Sequence, residues 1–115
     1  MVYQYKHIDP MAETANAIDQ EVLVRNFTYT GTVFHLIEAN LRQDAEWVAR
    51  LEVEQAAAVA ALAAIGRTPD EPSRTQKDAC ESGVLEAIER EHLFSTDPEE
   101  RVRLETCLLD YSGVR

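Results

Sequence analysis

The stretch TVFHLIEANLRQDAEWVARLEVEQAAAVAALAAI, residues 32–65, decides the fold. Within it, positions on one side recur at alternating intervals of four and three, the spacing of side chains on one face of a helix. Gly66 follows directly, at the place where a left-handed residue commonly ends a helix. We therefore predict one long helix over residues 32–65, whose repeated face consists of Ile37, Leu41, Asp44, Val48, Leu51, Gln55, Ala58, Leu62 and Ile65.

Capping signals predict three further helices. Asp9-Pro10 and Asp97-Pro98 each combine an N-cap acceptor with proline at the first helical position, where its missing N–H costs nothing. Ser73 and Gln76 have the spacing of a capping box, in which side chain and backbone satisfy each other at a helix start. The predicted helices cover residues 10–26, 73–94 and 98–111.

Two segments are predicted to lie outside the helices. Residues 1–9 alternate weakly and are typical of a short extended arm. Residues 27–32, FTYTGT, contain threonines and a glycine, which are poor helix formers and either interrupt the helix or kink it. Because amphipathic helices joined by short connections pack as antiparallel neighbours, we predict an all-α antiparallel four-helix bundle, a single domain over residues 1–115.

Charge and missing signals limit the partners and the compartment. The chain has 21 Asp and Glu against 11 Lys and Arg, a net charge of −10, so neither nucleic acid nor an anionic membrane is expected as a partner. No run approaches the ~18 apolar residues that cross a bilayer, and residues 1–30 contain no uninterrupted apolar stretch of the kind found in a signal peptide. Two cysteines, Cys80 and Cys107, are too few for a disulfide framework. We expect a cytoplasmic protein with free thiols.

The excess length of the predicted helix over residues 32–65 indicates self-association. At ~50 Å it is much longer than its predicted neighbours, so part of its apolar face would stay uncovered in a monomer. A second copy would bury that face, most simply in a two-fold dimer. The predicted interface consists of Trp47, Val48, Leu51, Ala58, Leu62 and Ile65.

One sequence pattern has metal-binding chemistry. Glu89 and His92 form an E-x-x-H pair on a helix, as in carboxylate-bridged di-iron bundles, and counting from the turns brings Asp44 and Glu13 to the same level. The alternative is structural. His92 then interacts with a helix C-terminus, Glu89 is solvated, and Asp44 fixes the register of its helix.

A glycine inside a predicted helix raises a separate packing question. Gly83 costs its helix about 1 kcal/mol relative to alanine, so either it allows a close approach to the alanine-rich residues 56–64 or it is merely tolerated.

No enzyme signature accompanies these features. The chain contains no G-x-S-x-G, Walker or dinucleotide-binding motif, and no catalytic or cofactor-binding residue is identified. The sequence favours a non-enzymatic acidic helical protein that acts through protein–protein interaction, as an adaptor, regulator or assembly factor, and associates with itself. The alternative is a di-iron-like helical bundle that binds iron or another divalent metal for an oxidative or storage role.

Overall fold

The computed structural model describes the backbone of residues 10–113 and the side chains of residues 17–111. The prediction of an all-α fold with four helices is confirmed. The arm predicted for residues 1–9 lies outside the described residues. The helices are α1 (Pro10–Leu41), α2 (Ala45–Ala63), α3 (Arg74–Phe94) and α4 (Pro98–Gly113).

The single long helix predicted for residues 32–65 is wrong, because the chain reverses direction at residues 42–44. Gln43 has a φ of 57°, a left-handed conformation that ends α1, and its side-chain amide donates to Asp110 at 2.5 Å. Asp44 then caps α2 by accepting from the backbone N–H of Trp47 at 3.0 Å. The repeated apolar face therefore has two destinations: Leu41, before the turn, packs against Ile88 of α3 and Leu104 of α4, whereas Ala58 and Leu62, after it, pack against Tyr29 of α1.

The interruption predicted over residues 27–32 is absent, and α1 runs through it as regular helix. The Thr28 hydroxyl donates to the Val24 carbonyl at 3.0 Å, and the Thr32 hydroxyl donates to the Tyr29 carbonyl at 2.6 Å. Tyr29 and Thr32 are both buried: Tyr29 packs against Ala58 and Leu62 of α2, and the Thr32 hydroxyl accepts from Gln55 of α2. Tertiary packing thus outweighs the weak intrinsic helix propensity of this segment.

The second helix returns antiparallel along α1. The Gln55 side chain donates to the Thr32 hydroxyl at 3.3 Å, and further along, the Arg25 guanidinium donates to the Ala61 carbonyl at 2.5 Å. These two pairs show that α2 is antiparallel to α1, since the residue numbers rise on α2 as they fall on α1. The buried side chains between the two helices are Tyr29, Ala58 and Leu62, with Val33 packed against them.

The predicted ends of the connection between α2 and α3 are confirmed. Gly66 has a φ of 73° beyond the last turn of α2, as expected of a residue that ends a helix. The Ser73 hydroxyl accepts from the Gln76 N–H at 3.1 Å, while the Gln76 side chain accepts from the Ser73 N–H at 2.8 Å. Between them, the Asp70 N–H donates to the Asn26 side chain at 2.9 Å and ties the connection to α1.

The third helix packs against α1 and runs parallel to it, and α4 returns along α3. The Cys80 thiol donates to the Phe34 carbonyl at 3.7 Å. Further along both helices, Glu91 of α3 forms an ion pair with Arg42, which follows α1. A second core cluster forms where α3, α4 and the end of α1 converge. Its buried members are Ile88, Leu104 and Cys107, with Leu41, Val84 and Leu108 packed against them.

The molecule is elongated. Its principal extents are 70 × 31 × 25 Å and its radius of gyration is 20.6 Å, against about 13 Å for a compact chain of this length. Because Arg25 is level with Ala61, two residues before the end of α2, the earlier residues of α1 continue past α2 by roughly 20 Å. This shape leaves much more surface than a closed bundle would.

The hydrogen bond from the Tyr29 hydroxyl to the Glu71 carboxylate joins α1 to the connection before α3. This bond, together with burial, raises the pKa of Tyr29 to about 12. Because the pKa of Tyr29 is higher in the folded state, the stabilisation by this hydrogen bond is complete below the unfolded-state pKa of about 10. It is lost as the pH rises toward 12.

Replacing Tyr29 with Phe is therefore expected to lower the free energy of unfolding by about 1 kcal/mol at pH 7. Between pH 10 and 12 the wild type should lose this advantage, so the two denaturation midpoints should converge. Urea titrations at several pH values measure this. A constant difference up to pH 12 would contradict the assigned role of the hydroxyl.

The close helix crossing considered for Gly83 is absent. A Cβ built on Gly83 meets no heavy atom within 4 Å, so the glycine answers no steric need among the described residues. Gly83→Ala should raise the free energy of unfolding by about 1 kcal/mol, because alanine restricts the unfolded chain and favours helix. Thermal denaturation followed by circular dichroism tests this, and a destabilised variant would show that Gly83 serves a contact.

Candidate interaction surface

The residues predicted to bind a metal have separate surroundings. Asp44 caps α2, His92 faces Glu105 of α4 with 3.8 Å between Nε2 and Oε2, and Glu89 is exposed. The side chain of Glu13 lies outside the described residues. Among the side chains that the structure describes, no group of three or more His, Cys, Asp or Glu is arranged to hold a metal ion.

The E-R-E-H segment, residues 89–92, instead forms a structural ion pair through Glu91, the second of its two carboxylates. Glu91 accepts two hydrogen bonds from the Arg42 guanidinium, at 3.0 and 2.7 Å, while Nε of Arg42 donates to Glu38 at 2.8 Å. Arg42 holds the pKa of Glu91 below its ordinary value, and Glu91 in turn raises the pKa of Arg42. The Arg42 carbonyl also accepts from the Cys107 thiol at 3.4 Å, so the turn after α1 contacts both α3 and α4.

The two cysteines are free thiols. Burial raises the pKa of both Cys80 and Cys107, which keeps the thiols protonated and makes them poor nucleophiles at neutral pH.

Three of the six residues predicted to contact a second copy are used within the chain. Leu51, Ala58 and Leu62 are buried, on the face of α2 that packs against α1. The sequence argument assumed that this face was uncovered, and the reversal at residues 42–44 covers it. The other three residues, Trp47, Val48 and Ile65, remain partly exposed.

A groove of about 670 Å³ runs between α1 and α2. We call it the α1–α2 groove. Its buried lining residues are Thr32 and Ala58, Phe27 is among the exposed ones, and its ionisable side chains are one arginine, one histidine and one glutamate. The lining residues are Arg25, Phe27, Thr28, Gly31, Thr32, His35, Glu54, Ala57, Ala58 and Ala61.

The rim of the α1–α2 groove connects to the only tryptophan of the chain. The rings of His35 and Trp47 lie 6.0 Å apart, tilted by 38°. Trp47 is therefore placed to report, by its fluorescence, on changes at the His35 end of the groove. The sequence predicted Trp47 and Ala58 as interface residues but did not predict the groove. The groove forms only because the turn at residues 42–44 brings α2 against α1.

Large aromatic side chains are exposed on two separate parts of the molecule. Phe27 is 81% exposed beside the α1–α2 groove, and Phe94 is 73% exposed at the end of α3. Phe94 lies on a shallow depression that it shares with Ala87, Arg90 and Glu91, which we call the Phe94 surface. Isolated apolar residues on a surface are ordinary, whereas an exposed aromatic beside a concave apolar patch is typical of a contact site.

Comparisons with known proteins give no relative. No protein-family model, curated protein or solved structure matches the chain. Within the described residues, none of the helices combines the length and the apolar character needed to cross a membrane.

The two carboxylates of the E-R-E-H segment provide a matched test of its role. Glu91→Gln removes the charge that pairs with Arg42 and should lower the free energy of unfolding by about 1 kcal/mol at pH 7. Glu89→Gln, an equal change on the same helix, should stay within about 0.5 kcal/mol of the wild type. Urea denaturation measures both.

The pH dependence of the Glu91→Gln effect has a defined sign. A lowered folded-state pKa means that the stabilisation is present above about pH 4 and is lost as the pH falls below it. The difference between wild type and Glu91→Gln should therefore shrink in acid. Greater sensitivity to Glu89→Gln than to Glu91→Gln would contradict the structural assignment.

Proposed function

We propose that this chain is a non-enzymatic acidic protein that acts through protein–protein contacts, as an adaptor, a regulator or an assembly factor, and that it associates with itself. One observation carries the proposal. Among the described side chains, ten large hydrophobic ones are exposed, whereas five large ones are buried: Tyr29, Leu51, Leu62, Ile88 and Leu104. An excess of exposed apolar surface is typical of proteins that cover it with a partner.

The positions of the two exposed aromatic residues support an adaptor role. Phe27 lies on α1, well before Arg42, whereas Phe94 lies just past Glu91, which pairs with Arg42. The two rings are thus separated by roughly 27 Å along α1. Two surfaces at this distance can bind two proteins at once, one of them a second copy of the chain.

The charge of the chain favours particular partners. With a net charge of −10, the surface attracts proteins whose contact face is basic and repels polyanions. Free, poorly reactive thiols suit a reducing compartment, so we propose a cytoplasmic location.

Self-association is tested first on the unaltered chain. Sedimentation equilibrium at micromolar concentrations should give the mass of a dimer, which dissociates on dilution. The physical reason is the free energy gained by removing exposed apolar side chains from water, about 25 cal/mol per Å². A monomer at every concentration, with the circular dichroism of a helical protein, would contradict this part of the proposal.

Binding of a different protein is tested at the Phe94 surface. A protein that co-purifies with the chain from its own cells should bind the purified chain directly by calorimetry. Phe94→Gln should weaken that binding at least about tenfold, since buried aromatics dominate contact energies. Val53→Gln, at another exposed apolar residue, is the control. Equal effects of the two variants would contradict a role for this surface.

A further inference from the structure

We propose that the α1–α2 groove is the docking site for a second copy of the chain, arranged so that Arg25 of each copy pairs with Glu54 of the other. This inference rests on the proposed self-association and specifies where it occurs. It assigns the occupant of the groove from the arrangement of charges along its two walls.

The two charges lie at opposite ends of the groove and on opposite helices. Arg25 of α1 is level with Ala61, to whose carbonyl it donates. Glu54 of α2 precedes Gln55, which is level with Thr32. Arg25 and Glu54 are therefore separated by roughly 11 Å along the groove, on different walls.

Only one of these two charges has a partner within the described chain. Arg25 forms an ion pair with Glu21, one turn earlier on α1. Glu54 is exposed and takes part in no ion pair or side-chain hydrogen bond among the described residues. An arginine has five N–H donors, so Arg25 can keep its internal bonds and still bind a further carboxylate.

Two-fold symmetry can bring Arg25 of each copy to the level of Glu54 of the other. A two-fold axis that lies across the groove, at right angles to the helices, reverses the direction of the second copy. The Arg25 end of one groove then faces the Glu54 end of the other, and symmetry makes the pair twice. A single arrangement therefore satisfies both copies.

The rest of the groove suits a close approach between two helical hairpins. Gly31, Ala57 and Ala61 contribute little side-chain volume to the groove lining, so a facing helix can come near without displacing large side chains there. Phe27, at the rim, is an exposed aromatic of the kind that anchors interfaces. The two hairpins together would form a four-helix arrangement at the centre of the dimer.

The local charge also distinguishes this face from the remaining surface. Two chains that each carry −10 repel each other, so a contact between copies is favoured at a face whose opposite charges can pair across it. The groove lining carries one positive charge, at Arg25, and one negative charge, at Glu54, and the Glu21 carboxylate lies beside Arg25. This balance favours a second copy of an acidic chain as the occupant.

The test reverses the unpaired charge. Glu54→Arg places two arginines at each end of the dimer groove and should raise the dimer dissociation constant at least about tenfold, measured by sedimentation equilibrium. Glu52→Arg makes the same change on the same helix, at an exposed residue that does not line the groove. It should change the dissociation constant less than about threefold.

Restoring the pair provides the decisive comparison. Arg25→Glu and Glu54→Arg should each dimerise poorly alone, whereas an equimolar mixture should form heterodimers, because each copy then offers the charge that the other lacks. Equal effects of Glu54→Arg and Glu52→Arg on a chain that does dimerise would overturn the groove assignment and leave self-association intact. A wild type that is monomeric throughout would overturn both.

A second variant pair keeps the test independent of Arg25, whose internal bonds could affect folding. Gly31 and Gly83 are both helical with open space at Cβ. Gly31→Gln should fill the groove and weaken dimerisation at least about tenfold, whereas Gly83→Gln should not, since glutamine is tolerated in helices. Equal dissociation constants for the two variants would count against the groove.

Tryptophan fluorescence reports on the same event without a substitution. Trp47 contacts His35, which lines the groove, so docking of a second copy should alter its surroundings. Its emission should change on dilution with the midpoint found by sedimentation. An emission spectrum that stays constant while the dimer dissociates would place the interface elsewhere.

Discussion

The reversal at residues 42–44 is the constraint on which the rest of the structure depends. Gln43 takes a left-handed conformation, and Arg42 beside it bonds to Glu38 on its own helix and to Glu91 on α3. The Arg42 carbonyl accepts from Cys107 of α4. A single turn therefore directs α2 back along α1 and fixes α3 and α4 at the other side, with charge-assisted bonds that are stronger than neutral ones.

Local signals in the sequence predicted helix ends well, and they failed where tertiary contacts decide. The capping box at Ser73 and the left-handed Gly66 are complete within a few residues, so they could be recognised. The turn at Gln43 is stabilised by Asp110, far along the chain, and the heptad pattern runs through it without a break. Asp44 was the available signal, since an aspartate on an apolar face also suits an N-cap.

The candidate site was less predictable than the fold for the same reason. The E-x-x-H spacing drew attention to Glu89, whereas the bonded carboxylate is Glu91, whose partner Arg42 is distant in sequence. Leu51 and Leu62 were assigned to a contact with a second copy, whereas the structure buries both side chains within the chain. No pattern in the sequence says which helix an apolar face will meet.

The division of the core links association to stability. Between α1 and α2 the buried cluster contains Tyr29, Ala58 and Leu62. Ala58 has a small side chain and also lines the α1–α2 groove. The other cluster, around Ile88, belongs to α3, α4 and the end of α1. Whatever binds the folded groove stabilises the first cluster by mass action, since it has no affinity for the separated helices. The hairpin of α1 and α2 is thus the part of the molecule whose stability a bound second copy would raise most.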